Sequence, residues 1–420
     1  MTAPGPPLGA EEESTTLRPA AAAAIFGAFA FAYFLSALLR AVTATLAPVF
    51  SSELGLRAAD LGLLAGAYFF GFAAMQLPLG RALDRFGPRR TMLTLMMVAV
   101  LGCAAFASAT GFVALVAARV LVGAGMAASL MAPLTAFRQH LSPPAQLRAN
   151  SWMLMTGSMG MVASTLPVQL LLPVLGWRGL FWALALLLLL AAVLVRGCIP
   201  ADAPAAPVAG QPEIGYRDIA RHPLFLRAAP LAFFVYGGMI AVQSLWAGPW
   251  LTRVSGWTAA EAAQGLFGIN LAMLLAFGAW GAVMPRLMRH GISAMALIAW
   301  GLPLSLGMLA LIVALGRGAG AAHWAAWCVA CSFVSISQPA VGAAFPAAQA
   351  GRALSAYNLV IFAGVFCIQW GLGLLIDVLR AAGWSDIAAF RCAFAALGLS
   401  GLAAYGWFLW RGRQAADNGC

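Results

Sequence analysis

Gly80-Arg81-Ala82-Leu83-Asp84-Arg85-Phe86-Gly87-Pro88-Arg89-Arg90 is a dense run of charge in an otherwise apolar chain. Only 9% of the sequence is charged, yet these positions hold four Arg and one Asp. Apolar runs flank the stretch, roughly 59–79 before it and 91–109 after it. Each is long enough to cross a bilayer, which takes about 20 apolar residues in a helix. A short loop this basic resists translocation, so it is expected on the cytoplasmic side, and it fixes the direction of every other span.

The rest of the composition agrees. The chain has 420 residues, 63% of them hydrophobic, with a mean hydropathy of +0.89. So little charge cannot cover a soluble protein of this size. The expectation is an all-α integral membrane protein with the lipid bilayer around it. The net charge of +11 comes from Arg alone and is scattered over short loops, which argues against a nucleic-acid partner. No nucleophile–base set and no soluble catalytic domain fits between the spans, so an enzyme is not expected.

Reading outward, the spans fall at 22–48, 59–80, 91–109, 112–135, 150–173 and 178–198, then at 228–250, 263–285, 292–315, 322–347, 354–378 and 388–410. Twelve spans put both termini inside. With span-end residues counted at the nearer face, 16 of the 24 Arg fall on the cytoplasmic side and 6 on the other, and Arg40 and Arg119 are left deep within spans. Residues 1–19, with Glu11, Glu12 and Glu13, read as a disordered cytoplasmic tail, and 412–420 as another. A six-helix bundle is expected over 20–199 and a second over 228–411. Between them lies a cytoplasmic linker, 200–227, with Pro200, Pro204, Pro207 and Pro212 and an amphipathic helix from Tyr216 to Arg227. The halves also repeat: Gly80 and Arg85 recur as Gly281 and Arg286, and Gly176-Trp177 recurs as Gly383-Trp384.

The pattern Gly-x-x-x-Asp-Arg-x-Gly-x-Arg-Arg resembles the signature loop of the major facilitator superfamily of transporters. Gly80, Asp84, Arg85, Gly87, Arg89 and Arg90 carry the match. The resemblance implies two six-helix pseudo-repeats around a midplane substrate cavity. It also implies a gate, in which Asp84 binds Arg residues of its own half and faces the start of the eleventh helix near Leu354 and Ser355. A second family pattern, Arg-x-x-x-Gly-x-Gly, is met by Arg119, Gly123 and Gly125, where the Arg serves coupling or helix packing.

Arg40 is the sharpest signal for a site. It lies deep in the first span, where a charge costs roughly 2.5–3.5 kcal/mol on insertion scales. Arg119 lies at a similar depth in the fourth. None of the 13 acidic residues falls at mid-membrane; Asp377 comes only near the end of the eleventh span. Cations without a counter-charge point to a bound anion. The expected cargo is therefore a small organic anion held by Arg40 and Arg119, with further polar contacts from Tyr33, Thr43, Gln243, Trp246, Asn270, Gln338, Tyr357 and Asn358. No cofactor and no metal site is expected, and a coupling ion is left open. Two alternatives stand: a transporter-like ligand sensor, or a copper importer using Met153, Met155, Met159 and Met161. Cys328 and Cys331 form a C-x-x-C within an apolar helix and read as packing thiols.

Overall fold

A computed structural model describes residues 19–141, 143–201 and 215–417. Residues 1–18 of the expected tail 1–19, 202–214 of the linker 200–227 and 418–420 of the second tail lie outside the described residues, as does the side chain of Asp84, while Pro19 opens the first helix. The described chain is helical throughout, with no strand among the described residues. The long helices are α1 (Pro19–Glu53), α2 (Ala58–Leu83), α3 (Arg85–Ser108), α4 (Phe112–Arg138), α5 (Pro143–Ala163) and α6 (Leu166–Cys198) in the first half. The second half has α7 (Pro223–Val254), α8 (Ala259–Arg289), α9 (Ala294–Leu315), α10 (Ala321–Ala343), α11 (Ala347–Ala381) and α12 (Asp386–Asp417).

Among the described residues, eleven helices are long and apolar enough to cross a membrane, and the missing one is α5. The fifth span was expected to run unbroken over 150–173. Instead α5 stops at Ala163, and Ser164 and Thr165 turn their hydroxyls back onto the carbonyls of Met161 and Val162. Helix resumes at Leu166 and runs on to Cys198 through a kink at Gly176, whose φ of +61° suits a residue without a Cβ. The fifth crossing is thus shared between α5 and the start of α6. The linker helix also differs from expectation. It spans only Tyr216–Arg221, because His222 leaves helical geometry before Pro223, and Pro223 opens α7. At the other end, α12 continues through 412–417, which the sequence reads as tail.

Each half packs within itself, α2 and α3 against α4, α3 against α6, and correspondingly α8 and α9 against α10. The halves meet along three seams: α2 with α11, α5 with α8, and α1 with α7. Moving on by six helices turns the α2–α11 seam into the α8–α5 seam, as two repeats about a pseudo-twofold axis require. Outward faces carry bare hydrocarbon, as at Leu186 and Val193 of α6, each 66% exposed. That is a surface for lipid rather than water.

The two family patterns have distinct structural reasons. At Gly87, in the first turn of α3, the chain takes φ +78° and ψ 169°, a kink that lets the chain reverse within the charged stretch between α2 and the body of α3. At Gly123 a Cβ would collide with the Tyr68 carbonyl, and at Gly125 with the backbone of Leu95 and Ala99. Those two glycines let α4 lie directly on α2 and α3.

Candidate functional site

A cavity of about 100 Å³ lies between the halves. From the first half, α1 presents Tyr33, Ser36 and Arg40, spaced three and four apart and so on one helical face. One turn apart on α2 stand Phe72 and Gln76. The second half supplies Tyr236 from α7, Gln338 from α10, and Asn358 with Phe362 from α11. Apolar side chains of α4 and α5 complete the wall.

Arg40 is the only charge among these lining residues. It is partly buried, its guanidinium carbon 5.8 Å from the centre of the Tyr33 ring, a cation–π distance. Its Nε is buried without a hydrogen-bond partner. Among the described residues no carboxylate pairs with it. Tyr33 is held against α5, where Gly157 leaves room for the ring. Ser36 belongs to a hydroxyl chain, accepting from Ser129 Oγ at 2.8 Å and lying 3.2 Å from the Tyr68 hydroxyl. Across the cavity, Gln338 Nε2 donates to Asn358 Oδ1 at 2.6 Å. Gln76 is fully buried; its Nε2 donates to the Phe72 carbonyl at 3.3 Å, and its Oε1 has no partner.

The structure thus brings together Tyr33, Arg40, Gln338 and Asn358 of the residues expected from sequence. The others lie in the walls. Arg119 is fully buried and spans to α1, donating from Nη1 to the Leu39 carbonyl at 2.9 Å and from Nη2 to Thr43 Oγ1 at 2.8 Å. Its guanidinium also stacks 5.3 Å from the Tyr68 ring. Arg119 and Thr43 therefore serve each other and pin α4 to α1. Gln243 donates to Asn270 Oδ1 at 2.8 Å, tying α7 to α8, and Trp246 Nε1 donates to the Gln369 carbonyl at 3.1 Å, tying α7 to α11. Tyr357 donates to Ser337 Oγ at 2.7 Å. Ser36, Gln76 and Tyr236 join the cavity unforeseen, although the spacing of Ser36 from Tyr33 and Arg40 could have flagged it. The methionines of α5 do not converge on one site: Met153 is buried, while Met155 and Met159, one turn apart, are exposed on another face.

The charged loop is tied to its own half. Thr91 Oγ1 donates to the Ala82 carbonyl at 3.0 Å across the turn, and Arg89 Nη2 donates to the Arg196 carbonyl at 2.5 Å, at the end of α6. Tyr216 of the linker helix reaches the Leu77 carbonyl at 3.3 Å. At the opposite end of the bundle the halves are joined directly. Asp377 of α11 accepts from the backbone N–H groups of Ala58 and Ala59, in the first turn of α2, at 3.3 and 2.8 Å. Arg380 lies 3.8 Å from Asp377 and 2.7 Å from Asp386, and Arg253 of α7 lies 3.8 Å from Asp386. A larger recess of about 360 Å³, lined by residues such as Ser51, Thr252 and Arg253, opens at this end.

The model of the Major Facilitator Superfamily matches residues 29–366. Among curated proteins the chain is 34% identical over 172 residues to a chloramphenicol resistance protein of Streptomyces lividans, covering 41% of this chain and 44% of that one. It is 33% identical over 107 residues to the hexuronate transporter of Bacillus subtilis, covering 26% and 25%. It is also 32% identical over 74 residues to the probable sulfoacetate transporter SauU of Cupriavidus necator, covering 18% and 17%. The matched stretches span less than half the length of these relatives. A solved structure of a bacterial homolog to the human lysosomal transporter Spinster, inward-facing and unoccupied, superposes with a TM-score of 0.72. Identity there is 17%, over 94% of this chain and 98% of that one, so the likeness is one of fold.

Proposed function

Because the chain belongs to the Major Facilitator Superfamily, and so carries a small solute across a membrane, we propose that this solute is an organic anion. The observation that carries the reading is Arg40, a cation facing the inter-half cavity with no carboxylate among the lining residues. Holding a charge at that depth is costly, and an anionic ligand is the counter-charge that offsets the cost. The cavity, at about 100 Å³, falls well under the 300–1,000 Å³ of pockets for drug-sized molecules, which favours a small cargo. Two of the relatives are named for anions, hexuronate and sulfoacetate.

The proposed cycle is alternating access in a bacterial inner membrane, with the basic loop and both termini cytoplasmic. The bias of 16 against 6 Arg between the two faces supports that orientation. The bond from Asp377 to α2 latches the outer end, and Asp84 acts as the latch at the cytoplasmic end. Binding neutralises Arg40 and lowers the cost of occluding it, so the loaded carrier changes face more readily than the empty one.

Counterflow in proteoliposomes tests this with a panel of labelled carboxylates and sulfonates, each paired with its neutral amide. Saturable exchange of at least one anion, and not of its amide, is expected. Saturable binding without flux would make the protein a sensor, and flux of the neutral members alone would overturn the anion reading.

A further inference from the structure

Gln76 carries an acceptor that its bond to its own helix leaves unused. Its side chain is completely buried, it lines the cavity that holds Arg40, and nothing in the protein hydrogen-bonds to its Oε1. The orientation of the amide is set by its own helix. Nε2 donates to the Phe72 carbonyl, one turn back, and the flipped amide would set two oxygens against each other. The atom of Gln76 left without a partner is therefore an acceptor, sealed behind the cavity wall in this state and reached by a ligand when the helices around it part. A buried acceptor left unmade is costly, and native proteins leave few of them. We propose that the carried anion is a small hydroxy acid, whose anionic group sits at Arg40 and whose hydroxyl donates to Gln76 Oε1.

Charge favours a neutral donor, of which a hydroxyl is the one that also suits the opposite wall. An ammonium could also donate to Oε1, but none of the lining residues is a carboxylate that could balance a second cation beside Arg40. The opposite wall suits the same group. The bond from Gln338 Nε2 to Asn358 Oδ1 uses one donor and one acceptor, which leaves Gln338 Oε1 and Asn358 Nδ2 for other partners. A hydroxyl donates and accepts, so a polyhydroxylated tail satisfies both walls, whereas an alkyl tail satisfies neither. Sites built to bond a substrate hydroxyl discriminate strongly against analogues lacking it, because their own polar groups are then stranded.

This inference rests on the anion reading, and its test separates the two. Binding to the purified full-length protein is measured for lactate against propionate and for gluconate against hexanoate. The parent, Gln76→Met and Arg40→Gln are compared. In at least one pair the hydroxy acid should bind the parent about 10-fold more tightly than its deoxy partner. In Gln76→Met that preference should shrink to within about 2-fold while both members still bind. Arg40→Gln should weaken both members together and leave the preference. Should Gln76→Met not fold, Gln76→Asn, whose amide is withdrawn by one methylene, should reduce the preference. No preference in the parent, or one that persists without the Gln76 amide, overturns the hydroxyl assignment and leaves the anion reading standing. Equal binding by Arg40→Gln and the parent, or no binding of any member, would bring down the anion reading and this inference with it.

Discussion

Asp377 Oδ2 lies 2.8 Å from the backbone nitrogen of Ala59, so a carboxylate of the second half caps the first turn of a helix in the first half. Its other oxygen reaches the nitrogen of Ala58 at 3.3 Å. Four N–H groups at a helix start have no partner within the helix, and the helix dipole favours negative charge there. The carboxylate is 19% exposed, so it keeps part of its hydration, and a contribution of about 1 kcal/mol is the reasonable scale.

Asp377→Asn should therefore weaken closure at that end without unfolding the protein. Thiol labelling of a Cys placed at Thr252, in the recess beside this contact, should quicken by about 5-fold over the same Cys in the parent background. Unchanged labelling would reduce the Asp377 contact to local capping.

Asp84→Asn is expected to act in the opposite sense. If Asp84 latches the basic-loop end, neutralising it should raise labelling of a Cys near that end and slow transport. The double variant, with both latches weakened, should lie closer to the parent in its balance of open states than either single variant. Equal labelling in all four proteins would leave residues 80–90 as a topology signal only.

Arg119→Gln should cost stability rather than affinity. The change removes the two-armed bridge to the Leu39 carbonyl and Thr43 Oγ1 in a fully buried site. About 1–3 kcal/mol of destabilisation is expected, read as a lowered Tm in detergent, with the Kd of the folded fraction unchanged. A weakened Kd at unchanged Tm would move Arg119 into the binding site.

Gly123→Ala and Gly111→Ala make a matched pair. A Cβ at Gly123 would collide with the Tyr68 carbonyl, whereas one at Gly111 would meet nothing within 4 Å. The first should cost about 1–3 kcal/mol through forced separation of α4 from α2, and the second close to nothing. Similar Tm values for the two variants would show that the α2–α4 contact is not tight.

The sequence made the architecture readable because lipid imposes a strong rule, that charge stays out of spans and basic residues gather in short loops on one side. It read the fifth span poorly, since nothing in the composition of 150–173 announces that Ser164 and Thr165 stop the helix. For the site, an Arg in an apolar run was legible as a signal but not as a role. Arg40 and Arg119 both read as buried cations; the pattern around Arg119 left coupling and packing open, and the positions of Leu39, Thr43 and the cavity separate the one that lines the cavity from the one that clamps two helices. Gln76 and Tyr236 stayed hidden for a related reason. Helices apolar on every side carry no amphipathic stripe to show which face looks inward.

Transport as proposed depends on the charge of Arg40 meeting the charge of the substrate. Its most direct test is a comparison of Arg40→Gln with the parent, each measured for affinity toward the transported anion and its neutral amide. Gln keeps hydrogen bonding and much of the bulk, so the change removes little but charge. The parent should prefer the anion, and Arg40→Gln should bind it about 10- to 150-fold more weakly while binding the amide nearly as before, the loss of one charge-assisted hydrogen bond being worth about 1.5–3 kcal/mol. Equal affinity of the two proteins for the anion, or equal discrimination between anion and amide, would mean that the charge of Arg40 does not bind the substrate.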